Sequence, residues 1–189
     1  MKKIDEIIFY GNLIEKYHLI SSHGGNISVR NNDNILITRT GSMLGHLKPE
    51  DIILVSLKNQ NDNNLKKASM EYVVHKAIYD SSNAKVVMHT HPVYSILLSF
   101  FYEKIIPIDS EGKFSVKEIP VIDAKQTIAS KEVAEKIKEF TKDYSAAIVR
   151  SHGLFVWAES LEKAFYLTTS IENSLKILYL YEQWIKEKK

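Results

Sequence analysis

Val86-Val87-Met88 runs without a break into His89-Thr90-His91-Pro92. The three apolar residues are of strand type, and side chains alternate across a strand. His89 and His91 therefore fall side by side on one face, placed to hold a single cation. A third imidazole from a distant segment, His152 in Arg150-Ser151-His152-Gly153, would complete a three-nitrogen site. Neutral imidazole is a ligand that zinc favours, at about 2.0–2.1 Å, and a catalytic zinc keeps a fourth position open. A lone histidine beside a buried strand is usually a satisfied core residue, whereas alternate histidines on one strand rarely are. The expected ion is Zn2+, with another divalent cation as the alternative.

Helix-type and strand-type patterns alternate around this segment. Ile4, Ile7, Ile8, Gly11 and Ile14 keep a helical period over residues 2–18. Asn26 to Val29 and Ile35 to Thr38 read as two strands of a hairpin turning through Asn31-Asn32-Asp33-Asn34. Asp51 to Val55 is a third strand, and the Asn- and Lys-rich stretch 58–67 is a solvated loop. Met70, Val73, Val74, Ala77 and Ile78 mark a helix leading to the histidine strand, and Pro92 suits the first turn of a helix through Leu98. Further on come a strand at Ile119–Ile122 and a helix over 131–140 capped by Ser130. Strands at 146–149 and 154–157 follow, then a long helix from Ser160 to about Lys186. The early hairpin excludes a purely parallel sheet, so the expected architecture is α/β, a mixed sheet flanked by helices.

At 189 residues the chain suits one compact domain with a full core. It has no cysteine, which excludes disulfides and thiolate metal sites. A net charge of +2 does not call for nucleic acid or an anionic membrane. Met1-Lys2-Lys3 leads into Asp5 and Glu6 rather than an apolar run, and no stretch approaches the length of a spanning helix, so a cytoplasmic location is expected.

A second constellation lies upstream of the histidines. Ser22-His23-Gly24-Gly25-Asn26 enters the first strand, Thr38-Arg39-Thr40-Gly41-Ser42 leaves the second, and Ser69-Met70-Glu71 opens a helix. Hydroxyls, glycines, an amide and a helix N-terminus are what a phosphate needs. Taken singly, each piece is equally well an ordinary turn.

In order, the motifs are Gly-Gly-Asn-Ile-Ser, Thr-x-Thr-Gly, Lys-Pro-Glu-Asp-Ile, Ser-x-Glu with a histidine four residues on, His-Thr-His-Pro and Ser-His-Gly-Leu. This series resembles the class II aldolase/adducin family over residues 5 to 180. The resemblance implies a three-layer α/β/α sandwich with a central, mainly antiparallel sheet, assembled as a homotetramer. It implies zinc on His89, His91 and His152, phosphate near Asn26, Thr40, Gly41 and Ser69, and Glu71 as the acid/base. The implied activity is reversible cleavage of a small phosphorylated ketose, fuculose-1-phosphate-like, into dihydroxyacetone phosphate or a similar fragment and an aldehyde through an enediolate. The alternatives are a sugar-phosphate epimerase, dehydratase or decarboxylase of the same fold, or a non-catalytic adducin-like interaction module. The module has no need of three histidines and Glu71.

The chemistry fits those residues. Three neutral ligands leave a divalent metal its full charge for a developing oxyanion, and a carboxylate within reach exchanges the proton at carbon. Met70, Tyr72 and Val73 are apolar neighbours expected to raise the pKa of Glu71. Its alternative role is that of a first-turn glutamate favoured by the helix dipole. His75 is expected to support the site or pack in the core, His18 and His46 to be surface or packing residues, and His23 is a candidate substrate contact. Two positions depart from the family's pattern: Met70 stands where a second serine is usual, and Arg39 stands in place of proline. No tyrosine occurs in Ile108–Lys113, where the family's aldolases carry a proton donor for the neighbouring subunit. Asp109 or Glu111, in the segment Asp109 to Phe114, is the candidate to reach an adjoining site.

Overall fold

The structure, a computed structural model, describes residues 2–59 and 61–188. An eight-stranded sheet in the order β3-β2-β1-β4-β8-β7-β6-β5 forms its middle layer. The strands are β1 (Asn26–Asn31), β2 (Asn34–Thr38), β3 (Ile52–Ser56), β4 (Val86–Thr90), β5 (Lys104–Ile105), β6 (Ile119–Ile122), β7 (Ala146–Val149) and β8 (Gly153–Ala158). Only β6 and β7 run parallel; every other neighbouring pair is antiparallel. The helices are α1 (Lys3–Lys16), α2 (Tyr72–Ser81), α3 (Val93–Ser99), α4 (Ser110–Ser115), α5 (Lys131–Lys138) and α6 (Leu161–Glu187). They cover both faces and give the three-layer α/β/α sandwich expected from the sequence.

Alternation along the central strands builds two cores. Val86 and Met88 of β4 with Leu154, Val156 and Ala158 of β8 pack with α1, α3 and α6, while Val87, Phe155 and Trp157 pack with α2 and α5. On α6 the buried stripe Leu161, Ala164, Leu167, Ile171, Leu175 and Leu178 keeps helical spacing, and Ser160 caps the helix by accepting from the Lys163 N–H at 3.1 Å. Ser130 caps α5 in the same way, accepting from the N–H groups of Glu132 and Val133. In the β1–β2 hairpin Asn31 pairs with Asn34, and Asn32 takes a positive φ of 58°, a conformation asparagine tolerates in tight turns.

The structure differs from the sequence reading at three places. The Asn-rich stretch holds a short 3-10 turn, Asn63–Lys66, capped by Asp62. The segment 109–114, given no element in the sequence reading, falls largely within α4, which Asp109 caps by accepting from the Gly112 N–H at 2.9 Å. Third, α2 begins at Tyr72, so Glu71 is its N-cap residue rather than part of its first turn. Among the described residues no helix is long and apolar enough to cross a membrane.

Register places the site. Asn26, the first residue of β1, lies opposite His89 of β4, and Thr90 of β4 lies opposite Leu154 of β8. His91 follows β4 directly, and the turn from β7 to β8 ends at His152. The α2 face of this end of the sheet therefore gathers groups from three strands.

Candidate active site

His89, His91 and His152 converge on one another. His89 Nε2 stands 3.0 Å from His91 Nε2 and 3.3 Å from His152 Nε2. All three ligand nitrogens lie within 4.8 Å of one another. His89 Nδ1–H donates to the Leu154 carbonyl at 3.1 Å, which fixes the tautomer with the Nε2 lone pair pointing inward. Its ring stacks on Phe155 with centroids 3.9 Å apart. Burial holds the pKa of His89 well below the usual imidazole range, and the neighbouring His91 and His152 add to the shift. Burial, then His152, brings His91 down to about 4, and burial also lowers His152 against the opposing backbone of Thr127. The three nitrogens are close enough to share one ion. The donor set fits a divalent metal.

Local backbone features hold the rings. Gly153 lies where a Cβ would come within 2.4 Å of the Thr90 carbonyl oxygen and 2.7 Å of His91 Cδ2, so only glycine admits the close approach of β8 to the histidines. Ser151, just before His152, adopts a φ of 62°. Its N–H donates to Ser99 Oγ at 3.1 Å, and Arg150 is pinned by Glu103 Oε1 at 2.6 Å. A strained residue held by its surroundings aims His152 at the centre.

Glu71 lies beside the histidines, its Oε1 3.7 Å from His152 Nε2. Oε1 accepts the Ala129 N–H at 2.8 Å, while Oε2 is buried without a partner among the described residues. Burial raises the carboxyl pKa to about 7, and the Ala129 hydrogen bond offsets only part of the rise. The source of burial differs from the sequence reading. Met70 is 65% exposed, whereas the Ala129 backbone, at a φ of 50°, meets the carboxyl with its N–H.

A cavity of about 240 Å³ joins these groups to Asn26, Thr40, Gly41 and Ser69, so every site residue expected from the sequence lines one space. Gly41 has a φ of 72°, as its turn requires. Among the described residues the Gly41 and Met70 N–H groups and the Thr40 hydroxyl donate to no protein acceptor. Ser69 Oγ accepts from the Glu71 N–H at 3.3 Å and keeps its own proton available. These donors face the cavity and solvent and are free to meet a ligand.

His75 does not line the cavity. It is fully buried, with a pKa lowered by burial to about 3, and as neutral imidazole it donates from Nε2 to Asn26 Oδ1 at 2.6 Å. Its Nδ1 then accepts from Ser28 Oγ at 2.7 Å, and Tyr79 OH stands 2.9 Å from that oxygen. The chain of bonds fixes Asn26 with its carbonyl inward and its amide N–H groups free for a ligand. Replacing His75 with leucine would strand Asn26 Oδ1 and Ser28 Oγ. The expected loss of stability is about 2–4 kcal/mol, read by urea denaturation; a loss below about 0.5 kcal/mol would contradict the role.

The remaining histidines separate. His23 lines the cavity near its mouth, hydrogen-bonded to Ser22 Oγ at 3.0 Å. His18 and His46 lie outside it, His46 on the surface near Glu15. Asp109 and Glu111 are also outside it: Asp109 caps α4, and Glu111 accepts from Ser170 of its own α6 at 2.8 Å. Sequence reasoning missed Ile128 and Ala129, whose contribution is position and a backbone N–H that no side-chain pattern advertises.

The family described as Class II Aldolase and Adducin N-terminal domain matches residues 5–179. An L-fuculose phosphate aldolase of Methanococcus maripaludis is 30% identical over 170 residues, covering 89% of this chain and 91% of that one. A 5-deoxy-D-ribulose 1-phosphate aldolase of Bacillus thuringiensis is 25% identical over 181 residues, 94% of this chain and 84% of that one. The crystal structure of L-fuculose-1-phosphate aldolase from Thermus thermophilus superposes with a TM-score of 0.91 at 32% identity, covering 96% of this chain and 95% of that one. The chain belongs to the class II aldolase and adducin N-terminal domain family, and within it to the aldolase-type enzymes.

Proposed function

We propose that this protein is a zinc-dependent aldolase that reversibly cleaves a small phosphorylated ketose into dihydroxyacetone phosphate, or a similar fragment, and an aldehyde. The observation that carries the reading is the juxtaposition of two features. A buried carboxyl with one oxygen unpartnered among the described residues stands beside three imidazole nitrogens that converge on one another. His89, His91 and His152 would hold the metal. Bound there, a divalent cation supplies positive charge for the oxyanion that develops on the ketose carbonyl oxygen.

The chain's own residues do the rest. Cleavage removes the proton of the hydroxyl on the β-carbon and breaks the bond between the α- and β-carbons, so that the β-carbon leaves as the aldehyde and the electron pair stays on the α-carbon of the ketose fragment, which then takes up a proton. Glu71, whose buried carboxyl has its pKa raised to about 7 in the metal-free protein, would hold and return that proton. The Ala129 N–H occupies Oε1, so Oε2 is the oxygen that carries the proton in cleavage and removes it in condensation. Asn26, Thr40, Gly41 and Ser69 would anchor the phosphate and keep the reacting carbon at Glu71. Among the described residues Glu71 is the one carboxyl lining the cavity, and in a homo-oligomer, a tetramer, a neighbour would complete each site. Exposed Phe101, Phe114 and Trp184 supply apolar surface for such contacts. We place the enzyme in the cytoplasm.

The test is a product screen. Purified, zinc-loaded protein should release dihydroxyacetone phosphate from L-fuculose 1-phosphate or 5-deoxy-D-ribulose 1-phosphate, and chelation should abolish the release until zinc is restored. Loss of water with the carbon skeleton intact, or activity in the metal-stripped protein, would replace this reading with a dehydratase or a metal-free enzyme. A monomer with full activity in light scattering would refute the shared site.

A further inference from the structure

Arg39 is the one permanently cationic side chain among the described residues that line the cavity. It follows Thr38 at the end of β2, and its backbone is fixed twice. Its N–H donates to the Asp51 carbonyl at 2.7 Å, and an isolated bridge pairs it with Ala68, next to Ser69. The side chain is fixed as well. Asp51 Oδ1 accepts from Arg39 Nε at 2.9 Å and from Nη2 at 2.7 Å, while Oδ2 accepts from the Lys48 N–H at 3.1 Å. A guanidinium has five N–H donors. Asp51 takes two of them, and the rest have no protein acceptor among the described residues, on a side chain that is 49% exposed.

The arrangement has the form of an aimed cation. Asp51 is largely buried, holds the guanidinium plane by one edge and leaves the other edge unspent. The donors around it, the Thr40 hydroxyl and the Gly41 and Met70 N–H groups, are all neutral. Neutral donors of this kind already favour an anion. A planar guanidinium adds a full charge and pairs phosphate oxygens two at a time, which an uncharged sugar end cannot match. Met70 also brings no hydroxyl to this end of the cavity, so one fewer side-chain donor is available there.

We propose that Arg39, oriented by Asp51, is the specificity-determining residue that selects a phosphorylated ketose over its unphosphorylated counterpart. The proposal rests on the phosphate reading of the cavity given above.

Isothermal titration of the metal-loaded protein with dihydroxyacetone phosphate and, separately, with dihydroxyacetone tests it. Arg39→Gln should weaken binding of the phosphate by about 10- to 100-fold, the worth of charge-assisted hydrogen bonds, and leave dihydroxyacetone binding unchanged. Arg39→Lys keeps the charge opposite Asp51 but loses the planar fork, and should recover part of the affinity. If Arg39→Gln leaves Asp51 unpaired and does not fold, the lysine variant carries the test, with a loss of about threefold or more confined to the phosphate supporting the proposal. Wild-type affinity for the phosphate in the variants, alongside weakened binding in Ser69→Ala, would overturn the role of Arg39 and leave the phosphate site standing. Equal loss for both ketoses would also overturn it. If the wild type binds the two ketoses alike, the phosphate reading itself fails and this proposal with it.

Discussion

Replacing His91 with alanine is expected to empty the metal site and reduce aldol cleavage to background. Two imidazoles would remain, and the loss of one of three ligands removes both binding energy and the geometry that keeps a position open for substrate. His91 is the best of the three to change. His89 is fully buried against Phe155, so its loss would also open the core, and His152 is held in a strained turn. His91 lies just beyond β4, and its truncation leaves the ladder with β8 intact. Elemental analysis of the purified variant should find well under one ion per chain, with an unchanged circular dichroism spectrum. Stoichiometric metal in a folded His91→Ala protein would contradict the assignment.

Glu71→Gln should separate metal binding from proton transfer. The amide oxygen can still accept the Ala129 N–H, so fold and metal content should persist, while turnover falls by about two to four orders of magnitude, the usual worth of a positioned acid/base. Wild-type turnover would mean that another group handles the proton. Stability gives an independent readout in the metal-free protein. The folded carboxyl, with a pKa of about 7 against about 4.5 when unfolded, binds its proton more tightly in the native state. That contribution is fully present below pH 4.5 and is lost as pH rises toward and past 7. Glutamine does not titrate. Between about pH 5 and 8 the stability difference should therefore shift in favour of Glu71→Gln by about 2–3 kcal/mol, measured by denaturant unfolding at each pH. A difference that does not move with pH would contradict the buried, raised carboxyl.

The sequence was most legible where periodicity and chemistry coincide. His89 and His91 at alternate positions after an apolar run read as one face of a strand; β4 ends at Thr90, just before His91, yet the two rings still converge. On β1, Asn26 and Ser28 also stand two apart on one face, a pairing the sequence reading did not use, and the structure ties them to His75 and Tyr79. Short, irregular elements were illegible. A two-residue strand such as β5 and a six-residue helix such as α4 have too few residues to display a period, and α4 depends on one Asp109 cap. Glu71 was found, but its environment was attributed to chain neighbours. Local sequence cannot show that Met70 turns outward while Ala129, far along the chain, meets the carboxyl with its N–H. The orientation of Arg39 was hidden for the same reason, since it is set by Asp51 across a turn.

The central claim is that a metal on His89, His91 and His152 and a proton on Glu71 act together at one carbon. Deuterium exchange into dihydroxyacetone phosphate tests it without any aldehyde partner. Incubated in D2O with zinc-loaded protein and followed by proton NMR, one hydroxymethyl hydrogen should disappear at a catalysed rate. The same hydrogen should persist with Glu71→Gln and with metal-stripped protein. Exchange at the wild-type rate in either of those two, or none in the zinc-loaded wild type, would contradict the account.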